Sequence, residues 1–368
     1  MISKACLVGA YQTKLEAIAA HADVELTVIT PPAWRDPAGT VTLERSHTRG
    51  YRLIADPIRF NGRYHLHYYP RLAARLTELR PDLVHIDEEP YNLATWLALR
   101  QARRAGAKTL FFSWQNLLRR YPFPFSALEK QVLAGVDYAI MGNRDATAVW
   151  QAKGYSGPYR VIPQFGVDME QYRPAAPRPA PRPAGSDFVI GAANRRLVAE
   201  KGVDLLLRAA ARLPGAWRVR VAGEGPERPL LERLAQELGI GARVVFDGAI
   251  PSGRMAAYLQ QLDALVLASR TRPNWKEQFG RVLIEAMACG VPVIGAQSGE
   301  IPHVIGDAGL TFPEEDVAAL RAHLQTLLEA PARRAELGRR GRARVLAHYT
   351  QREIAAQTVA VYRDILAR

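Results

Sequence analysis

The chain has 368 residues, 48% hydrophobic and 23% charged, an ordinary globular balance. Its net charge of +13 is spread over both halves, with 21 Lys+Arg against 16 Asp+Glu in residues 1–170 and 28 against 20 afterwards, which speaks against the concentrated basic stripe of a nucleic-acid binder. Two distant cysteines, Cys6 and Cys289, leave out a disulfide framework or a CxxC zinc site and fit a reducing cytoplasm.

The opening MISKACLVGAYQ turns polar too early for a secretion signal and reads as a first buried strand, Ala5–Gly9. Further strands are expected at Glu25–Thr30, Leu83–Ile86, Thr109–Ser113, Tyr138–Gly142 and Arg160–Pro163. A second set follows at Phe188–Ala192, Arg218–Ala222, Val244–Asp247, Ala264–Ala268 and Pro292–Gly295. Amphipathic stretches such as Leu205–Leu213, Leu230–Leu238 and Val317–Leu328 lie between them. Strand–helix alternation predicts parallel sheets covered by helices. No run reaches the roughly 18 apolar residues that cross a bilayer. Proline density at residues 174–185, PAAPRPAPRPAG, favours an extended linker. It separates an N-terminal domain, 1–173, from a C-terminal one, 186–348, and the final helix, about 349–368, is expected to pack back on the first.

Asn274–Val293, NWKEQFGRVLIEAMACGVPV, is the segment richest in candidate chemistry. A helix is expected to start at Phe279 or Gly280, with Glu277 just before it and Glu285 roughly 7 Å further along the axis. The free amides of Phe279 and Gly280 at that helix start suit an anionic group such as a diphosphate. Two carboxylates flanking it can grip hydroxyls of a sugar and a ribose. The plain alternative is a glutamate at a helix start and another on a solvated face. Arg196 and Lys201, in NRRLVAEKGV after the strand FVIGAAN, sit where ligands bind open α/β sheets. They can neutralise a leaving diphosphate or form an ordinary solvated loop. Gly223 and Gly225, in GEGP, form a turn and lack the GxGxxG fingerprint. In the first half, Gly9 can approach a phosphate through its backbone. Glu88, beside His85, Asp87 and Glu89, and Gln115 with Asn116 end strands on the side that takes an acceptor. Arg119–Phe125, RRYPFPF, mixes basic and aromatic residues in a way that suits an anionic membrane surface or a solvated loop.

Taken in order, these segments resemble the family 4 retaining glycosyltransferases of the GT-B fold. RRLVAEKG is similar to that family's GRLxxEKG loop, GEGP to its G-x-GP turn, and EQFGRVLIEAMACGVPVI to its E-x7-E segment with the following strand entry. SGEIPHVI and VIPQFGVDMEQYRP resemble two further segments. The resemblance implies two Rossmann-like α/β domains with parallel sheets facing across a cleft. It implies Arg196 and Lys201 on the donor diphosphate, Glu277 on the donor sugar, Phe279 and Gly280 amides nearby, and Glu285 on the ribose. It further implies a UDP- or GDP-sugar donor, no metal or other cofactor, retention of the anomeric configuration, and a glycan, lipid-linked or small-molecule acceptor. A cytoplasmic enzyme in peripheral contact with the membrane, taking no nucleic acid, is the expected setting. Three positions depart from the pattern: VGAYQ carries one glycine where the family has a pair; Ser113–Trp114–Gln115–Asn116 stands in place of a histidine; and His303 occupies a glutamate position. The competing readings are a nucleotide-sugar epimerase of the same fold and a non-catalytic binding protein on a degenerate transferase scaffold.

Overall fold

A computed structural model describes residues 1–36, 39–175 and 187–368. The chain divides into two units, Met1–Gly166 with Gln351–Arg368, and Val167–Thr350. Most of the proline-rich segment 174–185 lies outside the described residues. The first boundary falls earlier than residue 173 because the following segment is tied to the second unit. There the Val167 amide donates to the Tyr349 carbonyl at 2.7 Å, Gln171 Nε2 to the Ser252 carbonyl at 2.8 Å, and Gln260 Nε2 to the Arg173 carbonyl at 2.6 Å.

The first unit contains strands β1 (Thr27–Thr30), β2 (Ala33–Asp36), β3 (Gly39–Thr42), β4 (Arg52–Ala55), β5 (Leu83–Ile86), β6 (Lys108–Ser113), β7 (Tyr138–Met141) and β8 (Tyr159–Val161). Its parallel sheet runs β4-β1, then β5-β6-β7-β8, and Ile2 bridges both Ile29 and Ile86 to join the two parts. β2 and β3 form a separate antiparallel pair. The expected strand Ala5–Gly9 is replaced by two 3-10 turns, Ala5–Leu7 and Gly9–Tyr11. A strand would point Cys6 and Leu7 to opposite faces; the turn buries both. Gln12 fixes the turn by donating to the Cys6 carbonyl at 3.0 Å. The helix Gln351–Leu366 packs on the helix Thr13–Ala19, and Ile354, Val359 and Ile365 join Leu15, Ile18 and Val28 in one core.

The second unit contains β9 (Phe188–Arg196), β10 (Trp217–Glu224), β11 (Val244–Gly248), β12 (Ala264–Leu267), β13 (Val293–Ala296) and β14 (Leu310–Phe312), all parallel, in the order β11-β10-β9-β12-β13-β14. Ile190, Val219, Leu265 and Val293 are fully buried, as strands covered by helices on both faces require. The chain winds from β9 outward through β10 and β11, then crosses back to β12. The carboxyl ends of β9 and β12 are therefore the topological switch point, where open α/β sheets place ligands. In the first unit the same reversal lies between the Ile2 segment and β5. Among the described residues no helix is long and apolar enough to cross a membrane.

Candidate active site

The switch point of the second unit brings Lys201 and Glu277 together. β9 ends in exposed Arg195 and Arg196, and a 3-10 turn, Ala199–Lys201, follows. Lys201 Nζ lies 2.6 Å from Glu277 Oε2, and the Ser269 hydroxyl, just past β12, donates to the same oxygen at 2.8 Å. The Lys201 ammonium also stands 4.8 Å from the centre of the Trp275 ring. Reciprocal backbone bonds between Arg272 and Trp275, at 2.7 and 3.1 Å, fix the turn that presents the indole. Arg196 makes no side-chain hydrogen bond or ion pair among the described residues, so its guanidinium stands in solvent near the pair in sequence but unattached to it.

Two further residues support this site. Arg270, buried at 7% exposure, forms a fork on Asp204 with both distances 2.7 Å, pairs with Glu315 at 2.8 Å and donates to the Ala199 carbonyl at 2.8 Å. It clamps the turn that carries Lys201. Gly299, in the loop after β13, adopts φ +54°, and a Cβ there would stand 2.0 Å from the Glu277 carbonyl oxygen. That loop therefore presses on the backbone of Glu277, which only glycine permits.

The helix Arg281–Ala288 starts one or two residues later than expected, with Gly280 as its cap at φ 78°. Phe279 is buried and meets the Tyr349 ring edge-on at 5.8 Å. Glu285 is buried one turn into the helix and pairs with Arg281 at 2.9 Å. Burial raises its carboxyl above the usual range, while Arg281 and the Tyr172 hydroxyl pull it back. Gly223 has a packing reason of its own: at φ +130° its Cβ would lie 1.9 Å from the Asn194 carbonyl oxygen, and one on Gly225 would lie 2.3 Å from that of Leu197. Both glycines let the GEGP turn seat against the loop that leads to Lys201.

In the first unit the candidates are differently placed. The Gly9 amide donates to Glu44 Oε2 at 2.5 Å, so the backbone position expected to meet a phosphate holds a carboxylate of the same chain. Glu88 is spent internally, paired with Lys4 and 3.5 Å from His67 Nε2. Although burial alone would raise it, Lys4 and His67 hold its carboxyl at about 2. Its carboxylate therefore anchors Lys4 within the first unit. Gln115 and Asn116 are buried at the carboxyl end of β6, with Gln115 Nε2 donating to the Leu117 carbonyl at 3.0 Å. Glu89 organises this edge: it accepts from the Ser113 hydroxyl at 2.5 Å and the Trp114 amide at 2.9 Å, and burial pushes it up to about 7.

A cation–carboxylate pair thus stands at the switch point of one parallel α/β unit that is joined in the chain to a second such unit. Residues 8–164 match the glycosyl transferase 4-like domain, and residues 183–344 match glycosyl transferases group 1. The chain is 30% identical over 359 residues, 91% of its length and 89% of the relative's, to a GDP-mannose-dependent alpha-(1-6)-phosphatidylinositol monomannoside mannosyltransferase of Mycolicibacterium smegmatis. It is 30% identical over 263 residues, 69% of its length and 61% of the relative's, to an MMP alpha-(1->4)-mannosyltransferase of Mycolicibacterium hassiacum. In fold it is similar to Anabaena Alr3699/HepE, solved in complex with UDP, at TM-score 0.74 and 18% identity over 99% of this chain and 98% of that one. The chain belongs to the family 4, group 1 glycosyltransferases of the GT-B fold. The two curated relatives are named as transferases, which gives the epimerase alternative no support.

Proposed function

We propose that the protein transfers a hexosyl group, with GDP-mannose the first donor to test, to an inositol-bearing or lipid-linked acceptor, without a metal and with retention at the anomeric carbon. The observation that carries this reading is the Lys201–Glu277 pair, 2.6 Å apart at the switch point of the second unit. Support for the donor and acceptor class comes from the mycobacterial relative whose name states both. In this reading Arg196 and Lys201 hold the donor diphosphate, and their positive charge stabilises the leaving group where charge develops. Glu277 accepts from hydroxyls of the donor sugar, with the Phe279 and Gly280 amides beside it. Glu285 accepts from the ribose. The acceptor hydroxyl attacks from the side on which the diphosphate leaves, and the departing phosphate oxygen takes its proton. Gln115 and Asn116 of the first unit contact the acceptor.

Calorimetry with GDP-mannose, UDP-glucose and ADP-glucose identifies the donor, and mass-detected transfer to inositol-bearing and lipid-linked acceptors follows. Lys201→Ala and Glu277→Ala are each expected to lower transfer at least about 100-fold while circular dichroism stays native, the loss expected of an electrostatic contact made in the transition state. Activity is expected to persist in EDTA, and the product to keep the donor's anomeric configuration by NMR. Near-native turnover in both variants sinks the site; a strict need for Mn²⁺ sinks the metal-free diphosphate contact.

A further inference from the structure

We infer that Lys14 and Asp87 bind a hydroxyl of a neutral sugar or polyol ring, and that this ring belongs to the acceptor. Only the second half rests on the transferase reading above. Both residues lie in the first unit. Ser3 follows the Ile2 segment and Asp87 follows β5, so they flank that unit's switch point. The Ser3 hydroxyl donates to Asp87 Oδ2 at 2.5 Å and Gln164 Nε2 to Asp87 Oδ1 at 2.8 Å. Gln164 is held in turn by Trp114 Nε1, which donates to its Oε1 at 2.9 Å. The carboxylate is therefore fixed in place with acceptor capacity to spare, since an ionised carboxyl offers about four lone-pair positions.

Lys14 supplies the other half of the site from the helix Thr13–Ala19. It is 5% exposed, yet its ammonium makes no hydrogen bond or ion pair among the described residues. Asp87 is the foremost charge acting on it, without reaching ion-pairing distance. Burial lowers the Lys14 ammonium and raises the Asp87 carboxyl, and each charge opposes the other's shift. A cation taken out of water is costly unless its donors are taken up, and here no side chain takes them up. A hydroxyl does so in a single step: it accepts from the ammonium and donates to the carboxylate, and it bridges two groups too far apart to bond. A phosphate or carboxylate suits Lys14 alone and meets repulsion from Asp87. An apolar surface stands beside the ammonium. The Phe165 ring centre is 5.9 Å from Lys14 Nζ, and that ring stacks on Tyr11 at 4.1 Å and 10°. A few placed polar groups beside an aromatic wall are what a ring with polar edges and apolar faces requires.

The test is saturation-transfer NMR on the full chain, alone and with GDP or UDP. The probes are myo-inositol and methyl α-D-mannopyranoside, with inorganic phosphate as competitor. At least one of the two polyols is expected to receive saturation on its ring C–H protons, and phosphate is expected not to displace it. Lys14→Met and Asp87→Asn are each expected to weaken that binding at least about tenfold, the loss of a hydrogen bond to a charged group. Lys14→Met is expected to keep or raise the unfolding midpoint, because the buried ammonium goes. Polyol binding in a chain that ignores GDP and UDP supports this site and sinks the donor reading. Nucleotide binding with no polyol binding overturns the inference and leaves the donor site standing. Displacement by phosphate overturns it as well. So does a lowered midpoint in Lys14→Met with polyol binding unchanged, which makes Lys14 a support of its helix.

Discussion

Lys201 and Glu277 lie 76 positions apart in the chain, yet one oxygen of Glu277 receives both the ammonium and the Ser269 hydroxyl. Such double donation fixes the carboxylate before any ligand arrives, and preorganisation of that kind is what makes an electrostatic site effective. Glu89 shows the opposite use of a carboxyl. Its ordinary value is 4.5, and burial pushes it up to about 7. The folded protein thus binds this proton more tightly than the unfolded chain does. Its contribution to stability is complete below about pH 4.5 and is lost as pH rises through about 7. Glu89→Gln mimics the protonated acid, so the variant's melting temperature relative to the native protein is expected to be higher at pH 8 than at pH 5. A difference that is the same at both values shows that Glu89 does not titrate in this window.

The loop after β13 acts on the site through its backbone alone. Gly299→Ala adds a Cβ 2.0 Å from the Glu277 carbonyl oxygen at a positive φ, so the loop must move and Glu277 with it. We expect a stability loss of about 1–3 kcal/mol and a fall in transfer larger than that loss explains, measured by chemical denaturation beside kcat/KM. Transfer unchanged in a destabilised protein shows that the loop supports the fold and not the carboxylate. The parallel strands of the second unit were legible because continuous apolar runs bounded by turn residues have few other readings, as at VRVA and ALVL. The pairing of Lys201 with Glu277 was within reach because both sit in recognisable segments at strand ends. Ala5–Gly9 also reads as an apolar run, but Gln12 bonds it into turns, and no local signal reports that. β2, β3, β4 and β14 are short strands that stay partly or wholly exposed, so they lack the continuous apolar run that marks β7 or β12. Arg270, Trp275 and Glu44 owe their roles to partners far away in the chain, so composition and spacing are silent about them.

At the scale of the whole molecule, the first unit is discontinuous. It ends at Gly166 and resumes at Gln351, and its core includes Ile354, Val359, Val361 and Ile365, all at 1% exposure or less. At about 1.5–3 kcal/mol for each fully buried aliphatic side chain, these four contribute roughly 6–12 kcal/mol. That is comparable to the whole net stability of an ordinary domain, about 5–15 kcal/mol. Ending the chain at Thr350 is therefore expected to abolish slow hydrogen exchange in β5, β6 and β7 while β9, β10 and β12 stay protected. Protection retained in both units shows that the last helix is dispensable.

The return of the chain also sets an order of events during synthesis. The second unit is complete once Thr350 has left the ribosome, whereas the first must wait for a helix made after all its other parts. At about 5–20 residues per second, its sheet spends on the order of ten to forty seconds with one apolar flank uncovered. Nascent chains of this enzyme thus have a defined interval in which a chaperone finds something to hold.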